Sequence, residues 1–182
     1  MNCDEPEVAG DSSPQQVFER LSEDVEQCFE RIQPDLYSPD ESGEFTFDQS
    51  NARTYARAAF ACMEGLACFI KAWAIYQLRA AGETPPPDRA LTTSLDESVR
   101  SMFALMDRVC SSEPLGDAGR QWWARFQEAS KIRDRITYPK SVADLDVSHG
   151  DLMTVIDADA GFRLLLSSYL EQSSSSQSIE QV

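Results

Sequence analysis

The chain has 182 residues, 42% hydrophobic and 26% charged, and a formal net charge of −15. That length suits one domain with a self-sufficient core, and so acidic a balance argues against a broad nucleic-acid binder, since cations dominate affinity for phosphates. No apolar run approaches the length of a membrane span, and the acidic start, Met1 to Glu7, is unlike a signal or transit peptide, so a cytoplasmic protein with no membrane partner is expected.

Residues 1–12 lack apolar periodicity and are expected to be disordered. Ser13 and Pro14 form a helix start, and Val17, Leu21, Val25, Cys28, Phe29 and Ile32 repeat at helical spacing, predicting a first helix over 14–32. Its outward face carries Glu19, Glu23, Glu26 and Glu30. Pro34 to Asp48 is read as a loop whose aromatics, Tyr37, Phe45 and Phe47, anchor it to the core.

Asp48 or Ser50 caps a second helix, which Gly82 stops after Ala81. Tyr55, Ala59, Met63, Leu66, Ile70 and Trp73 form one apolar stripe, and Ala58, Ala61, Gly65, Cys68 and Ala72 a second face of small residues. A helix apolar on two sides is central to a bundle or lies between the core and another subunit, so this one is a candidate for part of a dimer interface. Arg53, Arg57, Glu64 and Lys71 make the remaining polar strip.

The three prolines between Gly82 and Arg89 predict a stiff connection. A third helix follows, capped by Ser94 with Glu97 in the capping-box position, its core side formed by Val99, Met102, Phe103, Leu105, Met106 and Val109. After a loop, a fourth long helix spans Asp117 to Thr137. On it Trp122, Phe126, Ala129, Ile132 and Ile136 fall within an arc of about 120°. Ser141 to Val147 is a connector, and a last helix over 149–171 buries Leu152, Val155, Ile156, Phe162, Leu165, Leu166 and Tyr169. The serine-rich tail, 172–182, is expected to be disordered. With no sustained period-two alternation, the fold class is an all-α bundle of four to five helices in one domain over 13–171.

The five cysteines, Cys3, Cys28, Cys62, Cys68 and Cys110, are spread without a Cys-x-x-Cys pair, and His149 is the one histidine. That pattern supports neither a metal site nor a disulfide, and no cofactor motif is present. Cys28, Cys62 and Cys68 are read as small core residues. Residues 1–50 hold fourteen acids against two bases, a balance of −12 that leaves −3 for the rest of the chain. Residues 120–140 hold six bases against two acids and form the local basic patch.

That patch coincides with Lys131-Ile-Arg-Asp-Arg-Ile-Thr-Tyr-Pro-Lys140, where Pro139 ends the fourth helix. Arg133 projects near the centre of the buried arc, while Lys131 and Arg135 lie opposite, on the solvated face. A guanidinium at such a position needs a carboxylate, carbonyls or a ligand phosphate. Glu64, bordered by apolar residues, is the nominated carboxylate.

Arg133-Asp134, three further residues and Tyr138 resemble the signature of the HEPN superfamily, an arginine, a polar residue, three residues and a histidine. The resemblance implies a small helical bundle, often a metal-independent ribonuclease of toxin–antitoxin or phage-defence systems, in which motif residues of two subunits meet at a dimer cleft. It assigns catalytic positions to Arg133, Asp134 and Tyr138. Lys131, Arg135 and Lys140, with Glu64, stand as ligand-binding candidates around them.

Tyr138 occupies the histidine's place. An imidazole takes and returns a proton near neutrality, whereas a phenol stays protonated there and is a poor base. The expectation is therefore a homodimeric, HEPN-like protein that binds RNA or a nucleotide phosphate with weak or lost nuclease activity. Two alternatives stand beside it: a non-catalytic module that binds a protein partner, and an active endoribonuclease in which Tyr138 or His149 replaces the missing base.

Overall fold

The computed structural model describes residues 13–37, 39, 41, 43–85, 94–110 and 117–179. All regular structure among them is helical, in the order α1 (Pro14–Glu30), α2 (Gln33–Leu36), α3 (Gln49–Ala80), α4 (Leu95–Cys110), α5 (Asp117–Thr137), a 3-10 turn (Val142–Leu145) and α6 (His149–Ile179). The architecture is an all-α bundle.

Local chemistry sets most of the boundaries. Ser13 Oγ caps α1 by accepting from the Gln16 amide, and Gln16 Oε1 in turn accepts from the Ser13 amide. The Asp48 carboxylate accepts from the Asn51 amide at 2.8 Å to open α3. At the other end Gly82, with φ of 77°, lets the Glu83 amide reach the Leu78 carbonyl, a closure that a β-carbon would strain.

Helix α3 is the central element, packed against α1 and α4 and touched by α5 and α6, while α5 lies along α6. Tyr55, Ala59, Met63, Leu66 and Ile70 of its predicted stripe are all buried. So are Trp122, Phe126, Ala129, Ile132 and Ile136 of α5. Helices α4 and α5 meet through side chains, Phe103 edge-on to Trp122 at 5.5 Å between ring centroids and Asp96 with Ser130, and a seam opens beside these contacts.

Several expectations need correction. The first helix stops at Glu30, and Pro34 sits in the first turn of the short α2, where its fixed φ suits a helix start, instead of opening a loop. Lys71 is buried in α3, not on a solvated strip, because its Nζ reaches Ser98 Oγ of α4 at 2.7 Å. Cys68 is exposed, since the small-residue face of α3 from Ala61 to Ala72 points outward. Helix α6 continues past Glu171 to Ile179, because no glycine or proline lies between those residues to end a helix already nucleated by its packed half. Helix α3 is also long and apolar enough by length and composition to cross a membrane, and 56% of that window is buried inside the bundle. Residues 1–12, most of the triple-proline connection, the start of the loop before α5 and the end of the tail lie outside the described residues.

Candidate functional site

The motif residues occupy the last turns of α5 and the segment that follows. Arg133 is at the rim of the bundle, not in its core: its side chain is 24% exposed, with Nη1 2.9 Å from Asp134 Oδ1 and Nη2 3.8 Å from Glu64 Oε2. Most of the side chain is covered while its head reaches Glu64 of α3 and Asp134 of its own helix. Glu64 and Asp134 keep more than half of their side-chain surface in water, 55% and 62%. Exposed pairs of this kind contribute about 0–1 kcal/mol. Exchanging one of these carboxylates for another anion therefore costs little.

Lys131, Arg133 and Asp134 line a groove of about 450 Å3 in the α4–α5 seam, opposite Ser94, Leu95 and Asp96 at the start of α4. Ser130 Oγ bridges the seam to Asp96 Oδ1 at 3.1 Å. On the far side of Asp134, an open depression of about 380 Å3 is lined by Arg135, Tyr138, Lys140 and Asp144. Tyr138 is 69% exposed. Asp134 thus borders both recesses, and Arg133 faces only the first.

Arg135 has a different place from the one its sequence position suggests. It is half-buried rather than solvated, since its guanidinium donates to the Asp146 carbonyl at 2.6 Å and to Asp151 Oδ2 at 2.8 Å. These acceptors on the 3-10 turn and α6 draw it out of the polar face, so it clamps the connection instead of waiting for a ligand. Helix α3 reinforces the clamp. Arg57 Nη2 donates to the Ile136 carbonyl at 2.9 Å, Arg53 Nη1 to the Leu145 carbonyl at 3.0 Å, and Gln49 exchanges two hydrogen bonds with the backbone of Val147. The Asp144 carboxylate accepts from the amides of Lys140 and Ser141, which holds its pKa below the ordinary carboxylate value. The segment bearing Tyr138 and Lys140 is therefore fixed in place.

The His149 ring stacks on Phe45 at 4.0 Å between centroids, and its Nε2 lies 3.2 Å from the Leu36 carbonyl. Those contacts engage it with α2 and the segment before α3, not with Arg133. Trp123 is half-buried, stacked on Phe126, with the Arg100 guanidinium 4.9 Å above its ring.

One polar cluster escaped the sequence reading. Asp159, almost fully buried on α6, receives Arg163 Nε at 3.1 Å and the Tyr55 hydroxyl at 3.3 Å, and Arg163 Nη1 reaches Glu26 on α1 at 3.5 Å. Burial raises the Asp159 pKa, opposed by the Arg163 charge, and burial likewise raises that of the Tyr55 phenol. The signal in the sequence is an acid at a stripe position, Asp159 between Val155 and Phe162, with an arginine four residues on. Nearby, burial pushes the Cys62 thiol up to about 11, which makes it a poor nucleophile at neutral pH.

No protein-family model, no curated protein and no solved structure matches the chain.

Proposed function

We propose that the chain is a HEPN-like helical protein of a bacterial defence or toxin–antitoxin type system. It acts in the cytoplasm as a homodimer and binds RNA or a nucleotide phosphate around Arg133, with little or no nuclease activity. The observation that carries this reading is the arrangement of Arg133. Its guanidinium lies on an open groove with Lys131 beside it and, among the described residues, pairs with two largely solvated carboxylates. A phosphate entering the groove replaces Asp134 on Nη1 and forms the stronger, charge-assisted contact. The weak chemistry follows from the side chains present. Tyr138 stands at the base position, and the His149 imidazole is engaged by Phe45 and Leu36.

The same ion pairs favour a second reading, a non-catalytic interaction module in which Arg133 serves only to tie α5 to α3. RNA binding and cleavage by the purified protein, compared among wild type, Arg133→Ala and Tyr138→His, separate the two. Binding that Arg133→Ala abolishes, with cleavage appearing only in Tyr138→His, supports the proposal. Absence of binding, with Arg133→Ala lowering stability alone, replaces it by the interaction module. Cleavage by wild type that Arg133→Ala removes makes the protein an active metal-independent ribonuclease.

A further inference from the structure

The end of α5 lies against α3, and that contact brings a second guanidinium to the motif face. Arg57 of α3 is exposed, and its Nη2 donates to the Ile136 carbonyl at 2.9 Å. That carbonyl belongs to the turn of α5 that follows Arg133, while Arg133 itself reaches across to Glu64 of α3. Arg57 and Glu64 are two helical turns apart, about 10 Å, and so share one side of α3. The position between them on that side is Ala61, exposed and too small to screen one arginine from the other.

The two arginines are held differently. Arg133 has carboxylates within ion-pair distance, whereas among the described residues Arg57 pairs with a carbonyl, which accepts a hydrogen bond and leaves the charge uncancelled. A guanidinium carries five N–H groups in a planar fork, so one bond to a backbone oxygen orients the side chain and leaves donors for an anion. Glu64 is the single acid of α3, and more than half of its side chain is in water. With the two cations set along a helix axis, a ligand must be extended and repeatedly charged to meet both. A nucleic-acid strand is such a ligand, with one phosphate at every nucleotide.

Resting on the reading of Arg133 as a phosphate-binding residue, we infer that Arg57 is a second one. A single RNA strand runs from Arg133 across Ala61 to Arg57, with different phosphates of the strand on the two guanidiniums. Glu64 stands on that path and gives up Arg133 to the strand. These contacts are to the backbone, so they hold the strand without regard to base sequence.

The test is fluorescence anisotropy of the full chain with labelled octauridylate and octaadenylate, and competition by uridine monophosphate, for wild type, Arg133→Ala, Arg57→Gln and Arg57→Lys. Arg57→Gln keeps a donor for the Ile136 carbonyl and removes the charge. It is expected to weaken both octamers about tenfold and to leave the mononucleotide unchanged. Its salt slope should be shallower than that of wild type by about 0.7, the share of one phosphate contact on a single strand. Arg57→Lys, which restores the charge, should restore the slope. Octamer binding that depends on Arg133 but is equal in wild type and Arg57→Gln would overturn the inference and leave the reading of Arg133 standing. Absence of octamer binding by wild type would overturn both. Equal weakening of mononucleotide and octamers by Arg57→Gln, unrelieved in Arg57→Lys, would make Arg57 a structural residue and overturn the inference alone.

Discussion

Replacing one hydrogen of Gly161 by a methyl group places a carbon 2.2 Å from Trp122 Cδ1 and 2.9 Å from its Nε1. The indole cannot retreat, because Nε1 donates to the Ala158 carbonyl at 2.9 Å and its ring packs edge-on against Phe103. Gly161→Ala is expected to destabilise the protein by about 1–3 kcal/mol, the usual cost of overpacking, seen as a lower urea midpoint with an unchanged slope. At Asp144 the effect depends on pH. Its folded pKa is depressed, so its contribution is present above the unfolded value of 3.8 and is lost as pH falls through the lower folded value. The amide protons of Lys140 and Ser141 should shift together in that acid range by NMR. In Asp144→Asn, whose amide oxygen still accepts but does not titrate, they should stay constant.

At the scale of elements, the end of α5 separates residues that hold the motif from residues open to a ligand. Arg135→Ala removes the cationic partner of half-buried Asp151 and the side-chain donor to the Asp146 carbonyl at the end of the 3-10 turn, for an expected loss of about 1–3 kcal/mol. Lys131→Ala, on the exposed side, should stay within about 0.5 kcal/mol of wild type. Urea unfolding of the two variants checks the division, and equal losses would refute it. The five long helices were legible in the sequence, since caps at Ser13, Asp48 and Ser94 and the breaker at Gly82 act within a few residues of their partners, whereas the short α2 and the end of α6 were not. The roles of Arg135 and Lys71 were not. Helical projection assigns a face but is blind to an acceptor that another element brings, here Asp151 of α6 and Ser98 of α4.

For the molecule as a whole, the charge is the main constraint on any complex with RNA. The acidic first fifty residues oppose a polyanion, and the exposed cations around the motif are Lys131, Arg133 and Lys140. If these three neutralise phosphates of a single strand, the logarithm of the binding constant should fall with the logarithm of salt at a slope of about −2. Filter binding across a salt series measures it, and a slope several times steeper would locate the contact elsewhere. The contact between Arg133 and Glu64 could be nominated from sequence because Arg133 falls within an apolar arc and Glu64 is the carboxylate of the polar strip on the second helix. The groove beside Arg133 could not, because it depends on how α4 and α5 are spaced, a property of the assembled bundle.

The stack of Phe45 on His149 has a spectroscopic consequence. With a single histidine in the chain, the imidazole protons give one set of resonances, and the facing phenyl ring shifts them upfield by its ring current. That set therefore works as a built-in gauge of whether the segment before α3 is seated on the start of α6, readable in a one-dimensional proton spectrum without isotope labelling. Phe45→Leu should return the signals to the positions of a free imidazole and supply the calibration.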